Sequence, residues 1–76
     1  ISLFMRNFKK VYGVSPKQYI LNIRMNNAQN LLESTDYTVA EIAAIVGYDN
    51  ALYFSRIYHK QKGQAPSDYR KKMKEQ

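Results

Sequence analysis

Apolar residues recur along this chain at the spacing of helical turns, and nowhere do they alternate as a half-buried strand requires. Ile1, Phe4, Phe8 and Val11 fall on one side of a first helix that runs to about Tyr12, where Gly13 can supply a left-handed stop. A long second helix is predicted from Pro16 to about Ser34, with Ile20, Ile23, Ala28 and Leu31 at helical spacing. A short third helix covers Val39 to Val46, with Ile42, Ala43 and Val46 on its apolar edge. A fourth begins near Asn50 and ends at Gly63, and a last short one begins near Pro66 and frays into the basic run Arg70-Lys71-Lys72-Met73-Lys74. Two capping boxes mark starts: Ser15 with Gln18, followed by Pro16 at the first helical position, and Thr38 with Glu41. The fold class is all-α.

Very little chain separates the third helix from the fourth. Ala43 followed four positions later by Gly47 lets two helices approach closely and turn sharply, as a helix-turn-helix requires. Alone this spacing is weak, but here a polar cap and a helix with one basic face follow it. At about 100° per residue, Ala51, Phe54, Ile57 and Tyr58 share the core side of the fourth helix. Leu52, Ser55, Arg56 and His59 oppose them, with Lys60 on the flank. The first helix projects the same way, with Ser2, Met5, Arg6 and Lys9 outward and Lys10 on its flank.

These corresponding faces come from an internal repeat. Aligning Gly13 with Gly63 pairs Phe4 with Phe54, Arg6 with Arg56, Phe8 with Tyr58, Lys10 with Lys60, Pro16 with Pro66 and Tyr19 with Tyr69. Arginine suits bidentate bonding to guanine in the major groove, serine and histidine can bond base edges or phosphates, and Leu52 or Met5 can touch a thymine methyl. The long helix, roughly 18 residues at 1.5 Å each, spans about 27 Å. With the half-widths of the flanking units, two recognition helices would stand about 34 Å apart, one turn of B-DNA.

Composition narrows the chemistry. The chain has 76 residues, no cysteine and one histidine, which argues against a disulfide framework and against a thiolate or histidine metal site. No catalytic pair or phosphate-cradling glycine loop is present, so neither an enzyme nor a cofactor is expected. No apolar run spans a membrane and no signal-peptide pattern opens the sequence, so the expected location is cytoplasmic. The formal charge is +6 and uneven: Arg6, Lys9, Lys10, Lys17 and Arg24 precede the first acid, Glu33. Such a balance suits a polyanion.

At this point the residues resemble a family. Ile42-Ala43 through Val46-Gly47-Tyr48, then Tyr53-Phe54-Ser55-Arg56, Gly63 and Pro66 through Tyr69-Arg70, look like the C-terminal signature of AraC/XylS transcriptional regulators. Phe4 to Tyr19 is similar to that family's first recognition helix and the start of its linker helix. The resemblance implies a bacterial transcription factor, usually an activator, with two helix-turn-helix units joined by a long linker helix and inserted into successive major grooves. It implies base contacts from Ser2, Met5, Arg6, Asn50, Ala51, Leu52, Ser55 and Arg56. It also implies RNA polymerase as a partner and an effector ligand bound by a sensor domain outside this sequence. On this reading the first unit is incomplete, because the helices expected before Ile1 are not in the sequence. Three positions depart from the pattern: His59 where a basic residue is usual, Tyr58 for phenylalanine, and Ala65 where Ser or Thr caps the last helix.

The expectation is therefore one DNA-binding domain over 1–76. Residues 1–14 form the first recognition helix, 15–35 the linker, 38–63 the second helix-turn-helix, and 65–76 the last helix and basic tail. Lys9, Lys10, Lys17, His59 and Lys60 are expected to hold phosphates of double-stranded DNA. The alternative is a basic helical module that docks an acidic protein partner, such as a polymerase subunit, without reading DNA. A cationic helix lying on a membrane fits badly, because the apolar faces have each other to pack against.

Overall fold

The computed structural model describes Lys10, Val11 and residues 13–75. Among these residues the complete helices are α1 (Pro16–Ser34), α2 (Val39–Ile45), α3 (Ala51–Lys62) and α4 (Pro66–Lys74), and there is no strand. Lys10 and Val11 are helical as well. The remainder of the predicted first helix, with Ser2, Met5, Arg6 and Lys9, lies outside the described residues, as does the expected separation of two recognition helices.

Local chemistry sets the boundaries. Ser15 caps α1 by accepting the Gln18 N–H at 3.2 Å, and Pro16 occupies the first turn, where its missing donor costs nothing. The reciprocal half of that predicted box does not form, because the Gln18 side chain donates instead to Asn22 Oδ1 at 2.9 Å, one turn along the same helix face. The box at α2 is complete: Thr38 Oγ1 accepts the Glu41 N–H at 3.1 Å, and Glu41 Oε1 accepts the Thr38 N–H at 3.0 Å. Those bonds from Thr38 hold the Glu41 carboxyl below its usual range. Ala65 gives α4 no side-chain cap, as its methyl group dictates.

The core joins three helices. Met25, Ala28 and Leu32 of α1 meet Ile42 and Ala43 of α2, Val46, and Phe54 and Tyr58 of α3. Alanine at 28 and 43 keeps the facing backbones close, and the aromatic rings fill the space between. An aromatic column runs through this layer: Tyr48 to Phe54 at 5.8 Å, Phe54 to Tyr58 at 6.0 Å, and Tyr58 to Tyr69 of α4 at 6.4 Å, all tilted. Tilted pairs of this kind contribute about 0.5–1.5 kcal/mol each beyond their buried area.

Further expectations need correction, beginning with Val11, expected on the apolar side of the first helix and 72% exposed. Of Ile20, Ile23, Ala28 and Leu31, read at helical spacing along α1, only Ala28 is buried. Ile20 is 50% exposed and Ile23 43%, while Leu21, Met25, Ala28 and Leu32 form the inward line, with Leu31 half-buried at its edge. Apolar residues occur on more than one side of α1, so periodicity alone did not single out the side on which the other helices pack. The basic run after Tyr69 also does not fray, since α4 continues to Lys74.

Arg70 ties α4 to the rest of the domain. Its Nε donates to the Leu32 carbonyl at 3.3 Å, its Nη2 to the Thr35 carbonyl at 3.1 Å, and its Nη1 to the Tyr37 carbonyl. One guanidinium thus serves the end of α1 and the loop leading to α2, where helix-terminal carbonyls lack intrahelical partners. Beside it, Tyr69 donates to Glu33 Oε2 at 2.7 Å and accepts from Gln29 Nε2 at 3.1 Å.

Two outcomes can be measured. Arg70→Lys, which keeps the charge but loses the fork, should lower unfolding stability in urea by about 2 kcal/mol; full stability in the lysine variant would show that charge alone suffices. Tyr58 carries the opposite defect, a buried hydroxyl without a hydrogen-bond partner among the described residues. Tyr58→Phe should therefore stabilise the domain by roughly 1–3 kcal/mol. Burial first, then Tyr69 and Glu33, pushes the Tyr58 phenol up to about 12 from 10.0. Between those values the unfolded chain releases the proton that the folded chain retains, so stability falls as pH rises through the window. Tyr58→Phe should flatten this alkaline loss in a pH series of thermal melts.

Candidate nucleic-acid interface

Residues 46–50 place α3 by backbone geometry. Val46 ends α2, Gly47 takes φ +104°, and two hydrogen bonds close the end: Gly47 N–H to the Ala44 carbonyl at 3.2 Å and Tyr48 N–H to the Ala43 carbonyl at 2.8 Å. This is the paired-bond Schellman ending, which needs a left-handed residue after the cap. The positive φ is what disfavours a side chain here; a β-carbon at Gly47 would in addition stand 3.3 Å from Cζ of Arg24, so the guanidinium would have to shift slightly. Arg24 reaches over from α1 and lies 5.3 Å from the centre of the Tyr48 ring, a cation–π contact that ties the turn to the long helix.

The next helix starts at once. Asn50 Oδ1 accepts the N–H groups of Leu52 at 2.9 Å and Tyr53 at 3.1 Å, satisfying two donors at the head of α3. The far end closes on Gly63, φ +85°, whose N–H bonds the His59 carbonyl at 2.8 Å. Lys62 Nζ donates to Asn26 Oδ1 of α1 at 2.6 Å. The helix is thus fixed at its head, along its underside and at its tail.

Its outer side is what remains. With Phe54 and Tyr58 buried and Ala51 and Ile57 packed against the core, Leu52 is left 62% exposed, and Arg56, His59 and Lys60 are exposed with it. Ser55 is half-buried between them. Arg56 makes no hydrogen bond or ion pair to another described residue, so its guanidinium has no structural duty of the kind Arg24 and Arg70 perform. No acid lies on α3 to neutralise the face.

The other sequence-predicted residues fall as follows. Lys17 is exposed on the first turn of α1 and lines the same cleft as Lys60 of α3. Lys10 is exposed on the helical segment before Gly13. Asn50 and Ala51 stand at the head of α3, with the Asn50 carbonyl oxygen already committed to the cap. Sequence reasoning missed that Arg24, Lys62 and Arg70 have internal partners, and no local signal marks them, since each partner lies on a different element. Among the described residues no group of three or more His, Asp or Glu side chains could hold a metal ion. No helix described is long and apolar enough to cross a membrane.

Residues 2–72 match the family described as a helix-turn-helix domain. The MmsAB operon regulatory protein of Pseudomonas aeruginosa is 38% identical over 72 residues, covering 95% of this chain and 24% of that protein. The bifunctional transcriptional activator/DNA repair enzyme AdaA of Bacillus subtilis is 36% identical over 69 residues, covering 91% of this chain and 33% of that protein. The chain therefore spans a quarter to a third of these relatives' lengths. Among solved structures, the C-terminal domain of AraT, a response regulator from Geobacillus stearothermophilus, superposes with a TM-score of 0.91 at 38% identity, covering 93% of this chain and 59% of that one. The DNA-binding domain of the global transcriptional factor AdpA, in complex with a target DNA, superposes with a TM-score of 0.87 at 33% identity, covering 91% and 62%. With its glycine turn, the capped helix that follows and the buried aromatic pair, the chain belongs to the AraC-type helix-turn-helix family.

Proposed function

We propose that this chain binds double-stranded DNA sequence-specifically in transcriptional regulation, with activation as the expected sense. The observation that carries the reading is the outer face of α3, where Leu52, Arg56 and His59 stand exposed on a helix held by the core on its opposite side. A helix of this kind fits the major groove, about 12 Å wide. Arg56 then reads a base edge bidentately, Leu52 meets a thymine methyl, and Ser55, Asn50 and Ala51 contact bases near the head of the helix. Ser2, Met5 and Arg6 take the corresponding roles in the neighbouring groove.

Phosphates are held by Lys9, Lys10, Lys17, His59 and Lys60, which fix register without reading sequence. The 19 residues of α1, at 1.5 Å per residue, give a spacer of about 28 Å. That length suits two recognition helices on one side of a duplex. The binding of AdpA to its target DNA supports this reading by kinship. RNA polymerase as a partner, and an effector acting through a further domain of a longer protein, complete the proposal.

Selection of bound sites from random duplexes by the full-length protein should return a defined sequence; equal retention of all duplexes would remove sequence-specific recognition. Affinity should fall with salt at a log–log slope of about −4.5, from about −0.9 for each of the five phosphate contacts. Arg56→Ala should cost roughly 1–3 kcal/mol and relax preference at one base position. An unchanged site preference in that variant would take Arg56 out of base reading.

A further inference from the structure

The first half of α1 and the flank of α3 do not close on each other. Between them lies a cleft of about 460 Å³, within the size range of small-molecule sites. Its apolar lining includes Leu21, Tyr48, Tyr53 and Ile57, and its charged lining is Lys17, Arg24 and Lys60, with no acid among the lining residues. Tyr53 is 58% exposed, and its ring centre stands 6.0 Å from that of Tyr48 at a tilt of 58°. Leu21, Tyr48 and Ile57 also pack against the core, but the exposed Tyr53 ring and the lysine rim do not, and neither belongs to the base-reading face.

We propose that the cleft binds a small amphipathic anion, an aromatic carboxylate, with its ring against Tyr53 and Ile57 and its carboxylate on the Lys17 and Lys60 rim. Each part of the ligand follows from a part of the cleft. Tyrosine and aliphatic side chains favour a flat apolar body, and a cationic edge favours one negative charge. A simple inorganic anion would leave the apolar wall unused. A neutral ring would leave the lysines unpaired. Arg24 already stacks on Tyr48 and adds fixed positive charge to the inner end. Because Lys17 and Lys60 are also assigned to DNA phosphates, an occupied cleft would compete with duplex. That consequence, unlike the binding itself, rests on the function proposed above.

The probe is 1-naphthoate, titrated into the full chain and followed by two-dimensional NMR. Acetate serves as the charge control and 2-naphthol as the neutral-ring control. Saturable shifts are expected at Leu21, Tyr53 and Ile57, with a dissociation constant on the order of 1 mM or tighter. Tyr53→Ser and Lys60→Glu, both at exposed positions, should each weaken binding about tenfold, using the fold-preserving test of unchanged helical circular dichroism. The proposal is overturned by equal responses to acetate and naphthoate, by equal affinity for naphthol, or by no saturable shift at all.

A second arm separates the cleft from the DNA reading. With naphthoate at ten times its dissociation constant, duplex affinity should fall about elevenfold under full competition. Undiminished duplex affinity beside intact naphthoate binding would overturn the shared-lysine competition and leave the anion site standing.

Discussion

Phe54 and Tyr58 decide how this domain presents itself. They lie one turn apart on α3, both are buried, and the rings on either side of them, Tyr48 and Tyr69, belong to the preceding turn and the following helix. Once these two side chains are inward, the rotation of α3 about its axis has no freedom left. Leu52, Arg56 and His59 must then face away from α1. The basic face is a remainder left by packing, and its orientation is as firm as the core beneath it.

Positive charge in this chain does two different jobs. Arg24, Lys62 and Arg70 bind a ring, an amide and a set of carbonyls, and each holds two elements together. Lys17, Arg56 and Lys60 are exposed and available to an outside anion. Guanidinium groups take the two sites that demand planar geometry, stacking on Tyr48 and forking onto a helix end. The overall charge of +6 therefore overstates the charge free for a polyanion.

Features governed by near neighbours in sequence were legible without coordinates. Thr38 with Glu41 and the glycines at 47 and 63 all act within a few residues of themselves, and the structure has each of them as expected; of Asp49 and Asn50, both open as caps in the sequence, it is Asn50 that caps α3. Legibility failed where a residue chooses among partners. Gln18 takes Asn22 rather than the backbone of Ser15, and α1 buries Leu21 and Met25 rather than Ile20 and Ile23. Arg70 was the largest loss, because its partners lie on α1 and the loop after it, and only folding brings them together. For the interface, the inward and outward sides of α3 were readable from its periodicity. The lateral cleft was not, since it exists only where two helices diverge.

The Arg70 fork also imposes an order on synthesis. The end of α1 and the loop after it leave the ribosome well before the residue that satisfies their carbonyls. Until Arg70 emerges, those groups have water as their partner, and α1, α2 and α3 can associate only without their final clasp. Domains generally acquire structure as units while they are made; here the unit is sealed from its C-terminal side. A chain cut short before α4 would keep the residues of α1, α2 and α3 but leave the carbonyls of Leu32, Thr35 and Tyr37 to water, its frame still open.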